Sequence, residues 1–102
     1  MTRVAVARLE TLTAGTARRV EAEGRRIVLV RAGDTVYAIA DACAHKGGPL
    51  SEGKLSGTRL ACPWHGWHYD VKTGQCVFPG RGAAVASYPV EVAEGEVFVQ
   101  LP

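Results

Sequence analysis

The sequence is poor in several features that would place the protein in a particular class. No apolar run approaches the roughly 18 residues that a membrane helix needs, so we expect no membrane partner. The first residues lack the apolar segment and the small-residue cleavage site of a secretory signal, which predicts a cytoplasmic protein. The net charge is only +2, and no block of Lys and Arg occurs, so no nucleic-acid partner is expected.

Cysteine is also scarce. The chain has three cysteines, Cys43, Cys62 and Cys76, and an odd number without an export signal argues against a disulfide framework. Cys76 lies in a short strand-like segment, where a lone cysteine most often acts as a small buried apolar residue. Cys43 and Cys62 are therefore the two cysteines that are expected to have a chemical role.

Helical periodicity is nearly absent, and at most residues 9–13 predict one helical turn. Short apolar runs alternate with turn signals, and hairpins are predicted at Ala32-Gly33-Asp34, at Lys72-Thr73-Gly74 and at Glu94-Gly95. Because strand side chains alternate between faces, the last hairpin should present four valines on one face: Val90, Val92, Val97 and Val99. The 102 residues are expected to form a single all-β domain, a small sandwich or barrel.

Two short segments each combine a cysteine with a histidine. Cys43 and His45 are separated by one residue, and Cys62 and His65 by two. Thiolate and imidazole are good ligands for zinc, copper or an iron–sulfur cluster. Glycines at 47, 48 and 66 permit tight turns and close backbone approach, so each loop can direct two side chains at one centre. The four residues are candidate metal ligands.

Two further kinds of site could account for these loops. A structural zinc module would also use two cysteines and two histidines, although zinc sites usually pair Cys with Cys and His with His. A catalytic Cys–His pair would use one loop and leave the second loop without a role.

The two segments "CAHKGGPLSEGKL" and "CPWHGWHYDVKTGQ" resemble the Rieske iron–sulfur family, as does the C-terminal "YPVEVAEGEVFVQL". The resemblance implies a single Rieske domain over 1–102, a small antiparallel β sandwich with a cluster-binding subdomain made of two Cys/His loops, about 43–50 and 62–70. It also implies one Rieske-type 2Fe–2S cluster per chain, with Cys43 and Cys62 on one iron and His45 and His65 on the other.

The sequence departs from the Rieske proteins of respiratory and photosynthetic cytochrome complexes. Those proteins carry a disulfide between the loops, and the matching positions here are Gly48 and Trp64. Their serine donor to the cluster is replaced by Trp67, whereas their tyrosine donor toward a cysteine ligand is matched by Tyr69. One potential-raising hydrogen bond is thus lost and one is kept, which predicts a potential toward the low end of the Rieske range of about −150 to +300 mV.

Three more ring-bearing side chains follow the second cysteine. Trp64 and Trp67 are expected to cover the cluster and shield it from water. His68 is expected to be an ordinary strand residue that packs or meets solvent, rather than a ligand or proton relay.

Length and histidine content narrow the function that the resemblance implies. A ring-hydroxylating oxygenase needs a further mononuclear iron site with two histidines, and only His68 is left over, so the chain is not expected to be an enzyme. The resemblance is strongest to soluble Rieske-type ferredoxins, monomeric carriers that pass electrons from an NAD(P)H- or flavin-dependent reductase to a terminal oxygenase or reductase. The alternative within the family is the small subunit of an NAD(P)H-dependent nitrite reductase.

Overall fold

The computed structural model describes residues 2–44, 47–64, 66–80 and 82–102. Eleven β-strands and two short 3₁₀ turns are present within these ranges. The strands are β1 (Thr2–Arg8), β2 (Thr16–Ala22), β3 (Arg25–Ala32), β4 (Thr35–Ala40), β5 (Lys54–Ser56), β6 (Arg59–Ala61), β7 (His68–Asp70), β8 (Cys76–Phe78), β9 (Ser87–Tyr88), β10 (Val90–Ala93) and β11 (Glu96–Leu101).

The strands form three antiparallel sheets. Sheet A has the order β1-β11-β10, sheet B has the order β2-β3-β4-β9, and sheet C has the order β5-β6-β7-β8. Sheet A joins the two ends of the described chain, because β1 pairs with β11 along its whole length. The predicted all-β antiparallel architecture is confirmed.

Sheet B is the middle layer, and its central strands β3 and β4 are buried on both faces. Along β3, Ile27 and Leu29 pack toward sheet A, whereas Val28 and Val30 pack toward sheet C. A strand covered on both sides needs a continuous apolar run, which explains the sequence "IVLV". Two cores result, and we call the one shared by sheets A and B the base core and the one shared by sheets B and C the site core.

The predicted hairpins form where the turn residues indicated them. β3 ends at Ala32 and β4 begins at Thr35, with Gly33 at a φ of +63°. At the last hairpin, Glu94 and Gly95 both have positive φ, as a two-residue type I′ turn requires. The predicted valine face is also confirmed, because Val90 pairs with Val99 and Val92 with Val97. Val92 stays exposed at the edge of this face.

The predicted helical turn is a 3₁₀ turn over Leu9–Thr11. A second 3₁₀ turn, Leu50–Glu52, lies between the two Cys/His loops, and its first residue is fully buried in the site core. None of the described helical segments has the length and apolar character needed to span a membrane.

Candidate metal centre

The first Cys/His loop leaves the middle sheet at the end of β4. The N–H of Cys43 donates to the carbonyl of Gly48 at 2.8 Å, and the N–H of Gly47 donates to the carbonyl of Cys43 at 2.7 Å. Gly47 has a φ of +73°, a conformation that side chains other than glycine rarely adopt. The loop is thus closed on itself by two backbone hydrogen bonds at the cysteine.

The second loop leaves sheet C at the end of β6 and repeats the same frame. The N–H of Cys62 donates to the carbonyl of Trp67 at 2.7 Å, and the N–H of Gly66 donates to the carbonyl of Cys62 at 3.0 Å. Gly66 has a φ of +71°. In both loops the cysteine bonds to the residue five positions on, and the glycine four positions on bonds back to the cysteine. The glycines predicted to permit tight turns therefore have that role.

Both cysteines point into the protein, with exposed fractions of only 3% for Cys43 and 2% for Cys62. They lie in the site core together with residues of sheet C, including Leu60 and Tyr69. The other two predicted ligands, His45 and His65, lie outside the described residues. The described part of the site therefore consists of two buried thiols on matching loops.

The two loops touch each other at Gly48. A Cβ atom placed on Gly48 would lie 3.0 Å from the Sγ of Cys62 and 3.0 Å from the Cδ2 of Trp64. Gly48 and Trp64 are the positions that match the loop disulfide of the cytochrome-complex Rieske proteins, which the sequence resembles. Here an indole ring against a glycine makes the contact between the loops, and a side chain at 48 would fit only if these neighbours shifted by a few tenths of an ångström.

Tyr69 approaches Cys43 from β7. It is fully buried, its hydroxyl oxygen is 3.2 Å from the Sγ of Cys43, and it accepts the N–H of Ala44 at 2.9 Å. Burial raises the pKa of the phenol well above its ordinary value, and the contact with Cys43 raises it further, so Tyr69 keeps its proton at neutral pH. A thiolate has no proton to give, so toward a metal-bound Cys43 the tyrosine is the donor. The predicted contact is thus present.

The remaining ring-bearing residues of the second loop divide into a buried and an exposed part. Trp67 is half-buried and packs against the site core, whereas Trp64 is 57% exposed. His68 lies in β7, with its ring edge-on to Phe78 at 5.9 Å between centroids. Its Nδ1 atom is buried and has no hydrogen-bond partner among the residues that the structure describes. These contacts fit the expected strand residue that packs against a neighbour.

Cys76 is the third cysteine of the site core. It begins β8, is buried, and its thiol donates to the carbonyl of Phe78 at 3.2 Å. The structure agrees with the expectation of a small buried residue in a strand. No disulfide joins any two of the three cysteines, all of which are described.

One buried charged residue near the site was not predicted. Asp41, two residues before Cys43, is 3% exposed and accepts two hydrogen bonds from Ser51. Neither residue belongs to the ligand motif, and ten positions separate them in the chain. The only feature of the sequence that could have indicated this contact is the position of a carboxylate immediately before a ligand loop.

The donor set fits an iron–sulfur cluster. Within the described ranges, which omit both histidines, no group of three or more His, Cys, Asp or Glu side chains is placed to hold a metal ion. Two buried thiols in a low-polarity core, each on a glycine-closed loop, are suited to bind soft iron–sulfur centres. The fold and the site together define a small β protein that carries a metal centre at one end of its scaffold.

Comparison with known proteins identifies the family to which this small β protein belongs. The model of the Rieske [2Fe-2S] domain matches residues 2–89. The chain is 41% identical over 86 residues to the ferredoxin CarAc of Metapseudomonas resinovorans, a match that covers 83% of this chain and 80% of that protein. The chain belongs to the Rieske [2Fe-2S] domain family.

Two solved structures share the fold. The ferredoxin of carbazole 1,9a-dioxygenase from Nocardioides aromaticivorans IC177 is 32% identical with a TM-score of 0.90, and the match covers 97% of each chain. A protein described as the NADPH nitrite reductase small subunit is 26% identical with a TM-score of 0.84, covering 99% of this chain and 100% of that one.

The family settles the kind of cofactor that the sequence alone left open. The chain is an electron carrier with a Rieske-type 2Fe–2S cluster, and it resembles ferredoxins of ring-hydroxylating dioxygenase systems. The alternatives of a structural zinc module and a catalytic Cys–His pair are set aside by this match.

Proposed function

We propose that Cys43, His45, Cys62 and His65 are the four cluster ligands, with the two cysteines on one iron and the two histidines on the other. The observation that supports this assignment is the repeated loop frame, in which both cysteines are buried at equivalent positions. The histidines follow the cysteines by two and three residues within the same frames. We further treat 1–102 as one domain, which the pairing of β1 with β11 supports.

This ligand set explains why the centre accepts an electron readily. Two ferric ions and two sulfides carry a charge of +2, so two thiolates and two neutral imidazoles give a neutral oxidised cluster, whereas four thiolates would give −2. Adding an electron to a neutral centre is easier, which raises the potential relative to an all-cysteine ferredoxin. The cluster supplies one-electron chemistry, and the chain holds it, shields it and sets its potential.

The physiological role we propose is to carry electrons from an NAD(P)H- or flavin-dependent reductase to a terminal ring-hydroxylating oxygenase. Identity of 41% to one such ferredoxin over most of both chains supports this role. We expect the protein to work in the cytoplasm as a monomer, which forms transient complexes with each partner in turn.

Exposed apolar side chains suggest where the partners bind. Three of the four large apolar residues that are exposed in the described structure, Trp64, Val77 and Phe78, belong to the second loop and to β8 of sheet C. Exposed apolar residues that concentrate on one side of a small protein commonly mark a contact surface. Trp64 lies in the second ligand loop and Phe78 packs against His68 at the end of that loop, so a partner docked on these rings would contact the loop that carries Cys62.

The decisive experiment is anaerobic protein-film voltammetry across pH, combined with iron and acid-labile sulfide determination. We expect two irons and two sulfides per chain and a reversible one-electron wave in the low part of the Rieske range, which begins at about −150 mV. The wave should shift to lower potential only at alkaline pH, where the imidazole ligands lose protons. A colourless protein without a wave would overturn the assignment.

The nitrite reductase small subunit is a second candidate role, because a protein so described matches this chain over its whole length. Both roles use the same cluster and differ in the electron acceptor. Reduced protein should therefore be mixed with a ring-hydroxylating oxygenase and, separately, with a sirohaem nitrite reductase, and the rate of cluster reoxidation compared. Fast reoxidation only by the sirohaem enzyme would favour the second role.

A further inference from the structure

Asp41 is the one charged residue that is buried as a whole in the described structure. Its side chain is 0% exposed, and both carboxylate oxygens accept hydrogen bonds from a single residue. Oδ1 accepts the backbone N–H of Ser51 at 2.7 Å, and Oδ2 accepts the Ser51 hydroxyl at 2.6 Å. The guanidinium of Arg19, which is half-exposed, lies 3.6 Å from Oδ2. Burying a carboxylate is unfavourable unless such partners compensate for lost water, so this arrangement is specific.

These contacts span the first ligand loop. Asp41 stands two residues before Cys43, and Ser51 stands three residues after Gly48. The N–H of Asp41 also donates to the carbonyl of Arg26 in β3 at 3.0 Å. Both ends of the loop are thereby fixed to the middle sheet through one residue.

The Leu50–Glu52 turn extends the same connection to the second loop. Pro49, its N-cap residue, makes no side-chain capping hydrogen bond, so the carboxylate of Asp41 provides an acceptor for an N–H of the first turn. After the turn, Gly53 lies so close to β6 that a Cβ on it would overlap the carbonyl oxygen of Ala61, the residue before Cys62. The turn is thus in contact with the chain that leads into each ligand loop.

We propose that Asp41 is a positioning residue for the cluster, which fixes the spacing of the two ligand loops through Ser51 and lowers the reduction potential through its buried negative charge. The proposal rests on the ligand assignment proposed above. The carboxylate of Asp41 thus has two effects that can be separated. The hydrogen bonds to Ser51 hold the loops, and the charge, which the half-exposed Arg19 offsets only in part, disfavours an added electron on the cluster.

Three variants separate these effects in the cluster-loaded protein. Asp41→Asn removes the charge, but its amide can accept the Ser51 N–H and donate to the Ser51 hydroxyl. Ser51→Ala keeps the charge and removes one hydrogen bond. Asp41→Ala removes both. The readouts are the midpoint potential by voltammetry and the rate of cluster release, measured as loss of visible absorbance in the presence of an iron chelator.

We expect Asp41→Asn and Ser51→Ala each to change a different one of the two readouts. Asp41→Asn should raise the midpoint potential and release the cluster at nearly the wild-type rate. Ser51→Ala should leave the midpoint nearly unchanged and release the cluster about tenfold faster, the factor that loss of one hydrogen bond to a charged group produces. Asp41→Ala should show both changes, and if it fails to fold, the other two variants still decide the question.

Asp34→Asn is the matched control, because it removes the same charge from a fully exposed side chain. It should change neither readout, and an equal rise in midpoint for Asp34→Asn and Asp41→Asn would overturn the local charge effect. Wild-type release rates and midpoints in both Asp41→Asn and Ser51→Ala would overturn the positioning role. If wild-type protein holds no two-iron cluster, the ligand assignment fails instead, so the two failures are distinguishable.

Discussion

The base of the molecule, sheets A and B, and the site region, sheet C with its two loops, are built differently. The four strands β1 to β4 have six to eight residues each, whereas every strand of sheet C has three. Long paired strands are stable through their own hydrogen bonds and core. Strands of three residues depend on packing against sheet B and on what the loops bind. The scaffold therefore supports itself, while the site region needs the scaffold and the cluster.

The surfaces of the two regions also differ, since one is charged and the other exposes aromatic rings. Sheet A carries ion pairs on its exposed side, such as Arg3 with Glu91 at 3.2 Å and Arg8 with Glu96 at 3.9 Å. The site region instead exposes the rings of Trp64 and Phe78. Ion-paired side chains keep a surface solvated, whereas exposed aromatic rings favour contact with another protein.

The largest expected effect is loss of the cluster from one cysteine variant but not from another. Cys62→Ser should abolish two-iron binding, because a serine oxygen is a poor ligand where the loop presents a thiolate. Cys76→Ser is the matched control in the same core and should retain the cluster. Iron content and visible absorbance measure both. Equal iron content in the two variants would show that the ligand assignment is wrong.

The next largest effect is expected in the scaffold. Leu29 is buried in the base core, and Leu29→Ala should lower the free energy of unfolding by about 2–5 kcal/mol through the cavity that it leaves. The midpoint potential should not change, because the base core lies on the far side of sheet B from the ligand loops. Denaturant unfolding and voltammetry test the two statements. A shifted midpoint would indicate that packing in the base core affects the potential of the cluster.

A smaller effect is expected at Tyr69. Tyr69→Phe removes the donor to Cys43 and should lower the midpoint by about 40 mV, the equivalent of a hydrogen bond of about 1 kcal/mol in a one-electron couple. The N–H of Ala44 also loses its acceptor, so a small loss of thermal stability should accompany the shift. Tyr37→Phe, on β4, is a control for loss of a phenol elsewhere. An unchanged midpoint in Tyr69→Phe would show that Tyr69 does not set the potential.

The smallest effect on the protein itself is expected at the exposed aromatic ring of β8. Phe78→Ser should leave iron content, midpoint and stability nearly unchanged, since the ring is mostly in solvent. It should nevertheless slow electron transfer to an oxygenase partner by weakening the complex. Val92→Ser provides the control on sheet A. Similar slowing by both variants would place the partner contact elsewhere.

Much of the fold was predictable from turn residues and apolar runs, but β2 was not. β2 carries its apolar residues at Ala17, Val20 and Ala22, which do not alternate. Ala17 packs toward the site core, while Val20 and Ala22 pack toward the base core. Because β2 is a partly exposed edge strand of sheet B and contacts a different core on each face, its pattern lacks the period of two by which a half-buried strand is recognised.

The proposed ligand set was predictable without a structure, because the spacing of Cys43, His45, Cys62 and His65 and the glycines beside them are local properties of two short loops. The sequence also placed Tyr69 through its fixed distance from the second loop. Only the tertiary structure brought Asp41 to Ser51 and Gly48 to Trp64. Those pairs join segments that no periodicity relates, and they form because a buried carboxylate must find donors and two close-packed loops must find a contact without a side chain.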